Sequence, residues 1–321
     1  MSADAPRVRD FTTQDQGLPV VVETSPVYEL LLSLFVWGTK ADTMEYDSGS
    51  EFFDLVESRA AGELADELTA MLGCDALWLP LIGLAREAGK LHSVSDFAEY
   101  VQSMDPIVLR RALVDGACHK GDLSDEEAAA AAAGDADAIE KALAAPHVEA
   151  GFRSLLETEP NEIGHRIASL LIAFNEVVEQ QISDAMPALR RDADEKRSLA
   201  RSMPPQKIVE TATNGVTFDM QAHMTGVLLI PSKVIRPWTV MSSHEGLQIF
   251  AYSVADEHLH ADPDAPPGYL VELYKALGDE RRLKMLSFLA AGDRSLMEVA
   301  EHVDLAKSTA HHHLRILRSA G

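Results

Sequence analysis

The residues best suited to recognition chemistry lie at the end of the chain. Lys307, Ser308, His311, His312 and Arg315 fall on one side of a helix expected from Lys307 to Ser319. Ala310, Leu314 and Leu317, at i, i+4 and i+7, take the opposite side. From Leu305 to Gly321 there is no acidic residue. Hydroxyls, imidazoles and cations on one helical face suit contact with phosphates and with guanine edges in a major groove. No Gly-rich phosphate loop, nucleophile elbow or zinc-ligand spacing occurs in the chain, so no enzymatic chemistry is expected.

Other constellations carry less. His311-His-His313 cannot grip one ion, because consecutive helical residues point about 100° apart and helical ligands want i, i+4 spacing. His258-Leu-His260, with Asp256, Glu257, Asp262 and Asp264, is a better ligand set on paper, but its linker-like composition favours a solvated polar loop. Cys74 and Cys118 read as small buried hydrophobes rather than a sensor pair. Arg190, Arg191, Lys196, Arg197 and Arg201 alternate with Asp192, Asp194 and Glu195, which favours a solvated helix face over an accessory DNA stripe. Arg236-Pro-Trp238 is expected to pack at a strand end rather than to line a pocket. Metal and cofactor sites are therefore expected to be absent.

The elements that must hold the last helix are legible just before it. Asp279 caps a helix over Glu280 to Ala290, with Leu283, Leu286 and Leu289 expected inward. Ser295 caps Leu296 to His302, and Val303-Asp-Leu305 makes a tight turn into the last helix, with Asp304 suited to a left-handed conformation. Two short helices, a tight turn and a polar-faced third helix make a helix-turn-helix. Asp262-Pro-Asp-Ala-Pro-Pro-Gly268 reads as the linker before it.

Upstream, the pattern is mainly helical from about residue 26 to 201. Pro187 is expected to end or kink the longest stretch, Glu159 to Met186. After Met203-Pro-Pro205 the period changes to two. Ile208 to Thr213 and Val216 to Met220 flank Asn214-Gly215, a hairpin signal. Gly226 to Ile230 and Leu247 to Val254 read as further strands, and Leu18 to Glu23 as a β-prone run able to join them. The expectation is a small antiparallel sheet over about 206 to 254.

Charge divides the chain the same way. With 51 acidic and 28 basic residues the net charge is −23, which excludes a protein that coats nucleic acid non-specifically. Pro266 to Gly321 holds eight basic and seven acidic residues, so the −24 carried by residues 1 to 265 accounts for the whole excess. The N-terminus MSADAPRVRD has no apolar signal core, and no apolar run approaches membrane-spanning length. A cytoplasmic location without membrane contact is expected.

Lys275-Ala-Leu-Gly-Asp-Glu-Arg-Arg-Leu-Lys-Met-Leu286 resembles the opening signature of the arsenical-resistance repressor (ArsR) family of winged helix-turn-helix regulators. Leu305-Ala-Lys-Ser-Thr-Ala-His-His-His-Leu-Arg-Ile-Leu317 resembles its recognition helix. The resemblance covers about residues 269 to 321. It implies homodimeric repressors that leave DNA when an inducer binds. By match, Lys307, Ser308, Thr309, His311, His312 and Arg315 contact double-stranded DNA, and His313 packs against the domain. The helix before the recognition helix, Ser295 to His302, lacks the family's cysteine pair, so thiolate metal sensing there is excluded. The family's β-wing and later helix are expected beyond Gly321. The whole chain is also similar to a group of such regulators with a long N-terminal helical region, on the segment Leu229-Ile-Pro-Ser-Lys-Val-Ile-Arg-Pro-Trp238; that resemblance names no chemistry.

The reading is thus an α+β protein: a mainly helical body over 1–265, for dimerisation, binding of a small-molecule effector, or both, and a helix-turn-helix lacking its wing over 266–321. Its expected function is sequence-specific transcriptional regulation, as a repressor by resemblance. The alternative is an interaction or ligand-binding protein whose truncated helix-turn-helix no longer binds DNA.

Overall fold

The computed structural model describes residues 18–41, 46–70, 72, 75–89, 93–118, 122–144, 150–221, 223–259, 268–292 and 294–319. The chain opens with strand β1 (Val20–Val22) and helix α1 (Pro26–Gly38), capped by the Ser25 hydroxyl with Pro26 at the first position. There follow α2 (Glu51–Arg59), α3 (Glu63–Ala70), α4 (Leu79–Glu87), α5 (Val94–Ser103), α6 (Pro106–Ala117), α7 (Asp125–Ala133), α8 (Ala136–Leu143) and α9 (Ala150–Leu156). Ser93 with Asp96, and Ser124 with Glu127, close capping boxes that start α5 and α7. Glu51 to Leu72, a single helix by pattern, is split because Ala60 is extended and Gly62 turns with φ +58°.

Helix α10 (Pro160–Ala200) spans 41 residues and continues past Pro187, so the proline does not end it, as the sequence allowed. Both Pro187 and Ser183, whose carbonyl loses its partner, are on the exposed face, where that carbonyl is open to solvent. The opposite stripe is continuous and buried from Ile163 through Leu171, Phe174, Val178 and Ile182 to Leu189. Packing of that stripe holds the helix through the proline.

The sheet is mixed, in the order β1-β2-β4-β3, and corrects the antiparallel expectation. β2 (Gly226–Ser232) lies between β1 and β4 (Leu247–Ser253) and is parallel to both. Only β3 (Val240–His244), which the sequence reading did not assign, runs antiparallel to β4. All seven residues of β2 are buried, as a continuous apolar run in a two-sided strand demands. Leu228, Ile230, Ile249 and Ala251 face the main helical core, while Val227, Leu229, Phe250 and Tyr252 face a second core. The expected hairpin over 208–220 does not form. Pro205–Ala212 is a helix, α11, whose Ile208, Val209 and Ala212 bury one face in that second core. Asn214 (φ +54°) and Gly215 (φ +114°) end this helix, and the Gly215 amide donates to the Glu210 carbonyl at 2.8 Å. Asn-Gly supplies left-handed residues to a helix end as readily as to a hairpin. The tight β-hairpin is at Glu245 (φ +45°) and Gly246 (φ +80°), between β3 and β4.

One carboxyl is deeply embedded where α1 meets the end of β2. Glu29, 3% exposed, accepts hydrogen bonds through Oε1 from the Lys233 and Val234 amides at 3.0 and 2.9 Å. Burial pushes its pKa above the usual carboxylate range, although those amides and the Ser232 hydroxyl oppose the shift. A carboxyl with a raised folded-state pKa holds its proton longer folded than unfolded. Stability from this group is therefore present at low pH and lost as pH rises through the folded pKa. Glu29→Gln keeps the Oε1 acceptor, adds a donor for Ser232 and removes the charge. It is expected to stabilise the chain by about 1–2 kcal/mol at pH 8 and by much less near pH 4. Urea denaturation at the two pH values checks this, and equal effects would refute it.

The chain continues with α12 (Asp256–Leu259), α13 (Gly268–Leu277), α14 (Glu280–Leu289), α15 (Leu296–His302) and α16 (Lys307–Ser319). The last four pack on one another around a small core of their own: Met285, Val299, Ala300, Val303 and Ala310. Among the described residues no helix is long and apolar enough to cross a membrane.

Candidate nucleic-acid interface

The helices around α16 are set by local chemistry. The Asp279 carboxylate accepts from the Arg282 amide at 3.0 Å and starts α14. Ser295 and Glu298 form a capping box that starts α15. Both carboxyls are held below their ordinary pKa, chiefly by these amide hydrogen bonds. The Arg282 guanidinium donates to the Lys275 carbonyl at 2.8 Å and also to that of Ala276, tying the end of α13 to α14. The turn into α16 closes when the Leu305 amide donates to the Ala300 carbonyl at 3.0 Å, with Asp304 left-handed at φ +52° as expected.

Helix α16 is two-faced. Ala310 is wholly buried, and Leu314 and Leu317 pack against the same core. Lys307, Ser308, Thr309, His311 and His312 are exposed. Arg315 is half-buried, with Nη2 3.2 Å from His312 Nδ1. His313 is half-buried beside them. The candidate DNA-contacting residues thus share one helix, five in the open and Arg315 at the edge. The first turn of α16 follows Ala306, which has no side-chain acceptor for the helix's leading amides. Those amides and the positive helix end suit a phosphate.

One inward assignment is corrected. Leu283 and Leu286 are 48% and 37% exposed, and Met285 is the fully buried residue of α14. With Phe288 and Leu289 it forms the i, i+3, i+4 stripe against α15 and α16. A further contact had no sequence signal: the Phe288 and His302 rings stack at 4.0 Å, and Arg294 lies over Phe288 at 4.8 Å.

A second constellation sits between α10 and α12. Asp192, fully buried, accepts from the Tyr252 hydroxyl at 2.6 Å and from the Ala255 amide at 3.0 Å. Lys196, 6% exposed, approaches Asp192 at 3.8 Å and Glu195 at 3.2 Å. Burial, then the Asp192 charge, pushes the Tyr252 phenol far above its ordinary pKa. His258 Nε2 is 2.9 Å from Glu195 Oε2. His258 is therefore held on a helix rather than in the solvated loop its neighbours suggested, while His260, Asp262 and Asp264 lie outside the described residues. The basic stripe of α10 is largely committed to the body. Arg191 donates to the His258 carbonyl, and Arg197 to the Val22 carbonyl and to Asp194. Arg236 pairs with Asp47 and Asp256 where β2 and β4 end, which accords with packing there. Cys118 is half-buried and its thiol is pushed up to about 11, chiefly by burial; Cys74 lies outside the described residues.

Residues 279–321 match the family model for bacterial regulatory proteins of the arsR family. Over 48 residues the chain is 40% identical to the transcriptional repressor SdpR of Bacillus subtilis (strain 168), a stretch covering 15% of this chain and 53% of that protein. The chain thus spans about half the length of the curated relative it matches. No solved structure matches the chain.

Proposed function

We propose that this chain, whose residues 279–321 carry an arsR-type helix-turn-helix, is a sequence-specific DNA-binding transcriptional regulator. The observation that carries the reading is the outer face of α16, where Lys307, Ser308, Thr309, His311, His312 and Arg315 lie together on a stretch without acidic residues. In this reading Lys307 and the first-turn amides hold phosphates, Ser308 and Thr309 support them, His311 and His312 reach base edges, and Arg315 takes a phosphate or a guanine edge. The repressor role is proposed from the similarity to a transcriptional repressor. Selection of binding fragments from a random duplex library, followed by a salt titration on the winner, tests the reading. The expectation is a defined motif and a log–log slope of several units. Enrichment of no motif would overturn it.

The body over residues 1–265 is proposed to dimerise and to receive a small-molecule effector. Two recognition helices must sit about 34 Å apart to reach successive major grooves, so one of the two parts must join two copies. The body alone has enough surface for a standard interface of about 800 Å² per partner without covering α16. Its charge of −24 repels phosphates within a screening length of about 8–10 Å. This favours an arrangement in which α16 leads and the body stands back. Sedimentation of the full chain at micromolar concentration is expected to give a dimer, and a variant with Leu314→Asp in the small core is expected to stay dimeric. A monomer, or a dimer lost with Leu314→Asp, would sink this assignment of the body.

A further inference from the structure

His258 faces more carboxylate than an ordinary surface ion pair provides. Around its Nε2 lie Glu195 Oε2 at 2.9 Å, Asp192 Oδ2 at 3.9 Å and Glu257 Oε1 at 4.0 Å. The ligand atoms of Glu195, Glu257 and His258 all lie within 4.8 Å of one another. Two ligands on one zinc ion at bond lengths of 2.0–2.2 Å are about 3.4 Å apart in a tetrahedral site. Small side-chain rotations would therefore bring these three onto one ion. Glu195 comes from α10, and Glu257 and His258 from α12, so the ligands converge from two elements held in register by the buried Asp192–Tyr252 and Asp192–Ala255 hydrogen bonds. His258 is 15% exposed and the two glutamates 40% and 59%, which leaves a path for an ion to enter.

The charge balance points the same way. Asp192, Glu195 and Glu257 bring three negative charges, and Lys196 is the cation set among them, 3.2 Å from Glu195 and 3.8 Å from Asp192. A metal-bound imidazole carries no extra proton, and in that form the carboxylates and Lys196 leave the cluster two charges negative. Arg191, whose guanidinium donates to the His258 main-chain carbonyl, reduces that excess to one, and Arg236 is engaged by Asp256 and Asp47. The remaining negative charge attracts a cation, and an imidazole with carboxylates is a donor set that zinc and manganese accept.

We propose that Glu195, Glu257 and His258 form a binding site for a first-row divalent cation, in which the ion displaces the Lys196 ammonium from Glu195 and clamps α12 onto α10. Asp192 serves as the outer support that holds α12 through the Ala255 amide. The site lies directly before the segment leading to α13, so the clamp fixes where that segment starts. It is separate from the α16 face and independent of whether the chain binds DNA.

The test is calorimetric titration of the full chain with Zn²⁺ in a non-chelating buffer at pH 7.5, beside the variants His258→Ala, Glu257→Gln, Lys196→Met and the double variant His311→Ala/His312→Ala. The site requires one ion per chain. Its affinity should fall at least tenfold in His258→Ala and measurably in Glu257→Gln, whose exposed side chain supports no packing. It should be unchanged in the His311/His312 variant. Lys196→Met, checked for folding by circular dichroism, should bind more tightly, because the competing ammonium is gone; a merely structural ion-pair cluster has no reason to gain affinity. Absence of saturable binding up to millimolar Zn²⁺ would overturn the proposal. So would binding that survives His258→Ala or vanishes with the His311/His312 pair.

Discussion

Asp192→Ala is expected to destabilise the chain by about 3–5 kcal/mol, the usual cost of removing one partner from a buried charge pair. Asp192 has no exposed surface and uses both carboxylate oxygens, one for the Tyr252 hydroxyl and the other for the Ala255 amide, with Lys196 beside it at 8% side-chain exposure. Truncation leaves a buried hydroxyl and a part-buried amide without their acceptor, and leaves Lys196 beside the half-exposed Glu195. Each unsatisfied group costs about 1–3 kcal/mol. The pair is also the joint between α10, β4 and α12, so the loss is felt in three elements. Asp192→Ala/Lys196→Met should be less damaging than the sum of the single changes, because the stranded ammonium is gone. Urea denaturation of the four proteins in the cycle checks this. Strict additivity, or a loss below about 1 kcal/mol for Asp192→Ala, would show that the network does not hold the joint.

Legibility in the sequence followed the range of the interaction involved. The Ser295 and Asp279 caps and the left-handed Asp304 were all readable, because each depends on residues within four positions. The α16 face was readable because its two sides are separated by period alone. What failed was long-range. Asn214-Gly215 satisfies a helix end or a hairpin equally well, and the choice was made by the burial of Ile208 and Val209 against Phe250 and Tyr252. Pairing of β2 with β1 and β4 links separate segments of the chain, and the one local sign of a parallel strand was the unbroken apolar run of β2. Pro187 did not end its helix, because a buried stripe on the far side continues past it. Asp192 looked like one charge among many in a mixed-sign run. Its burial is decided by Tyr252, which lies 60 positions away.

For DNA binding, the largest effect is expected from removing both cations of α16 together. Lys307→Gln/Arg315→Gln keeps the aliphatic stems, which matters because Arg315 is half-buried and contacts His312. The substitutions cancel two positive charges on a stretch with no acidic residue to relieve. If both contact phosphate, the slope of log affinity against log salt should fall by about 1.8 units, at about 0.9 per contact. Affinity near physiological salt should drop about 100-fold, or about 2.7 kcal/mol. If Arg315 instead reads a guanine edge, the slope should fall by only about one unit and preference at one base pair should relax. A single-charge control away from α16 is Lys207→Gln on α11, an exposed cation that pairs with Glu210; it should leave both quantities unchanged. The measurement is fluorescence anisotropy on the selected operator at several salt concentrations. Equal affinity and slope in the double variant and the parent would place the DNA contact on another face of the molecule, while equal loss in Lys207→Gln would reduce the effect to net charge.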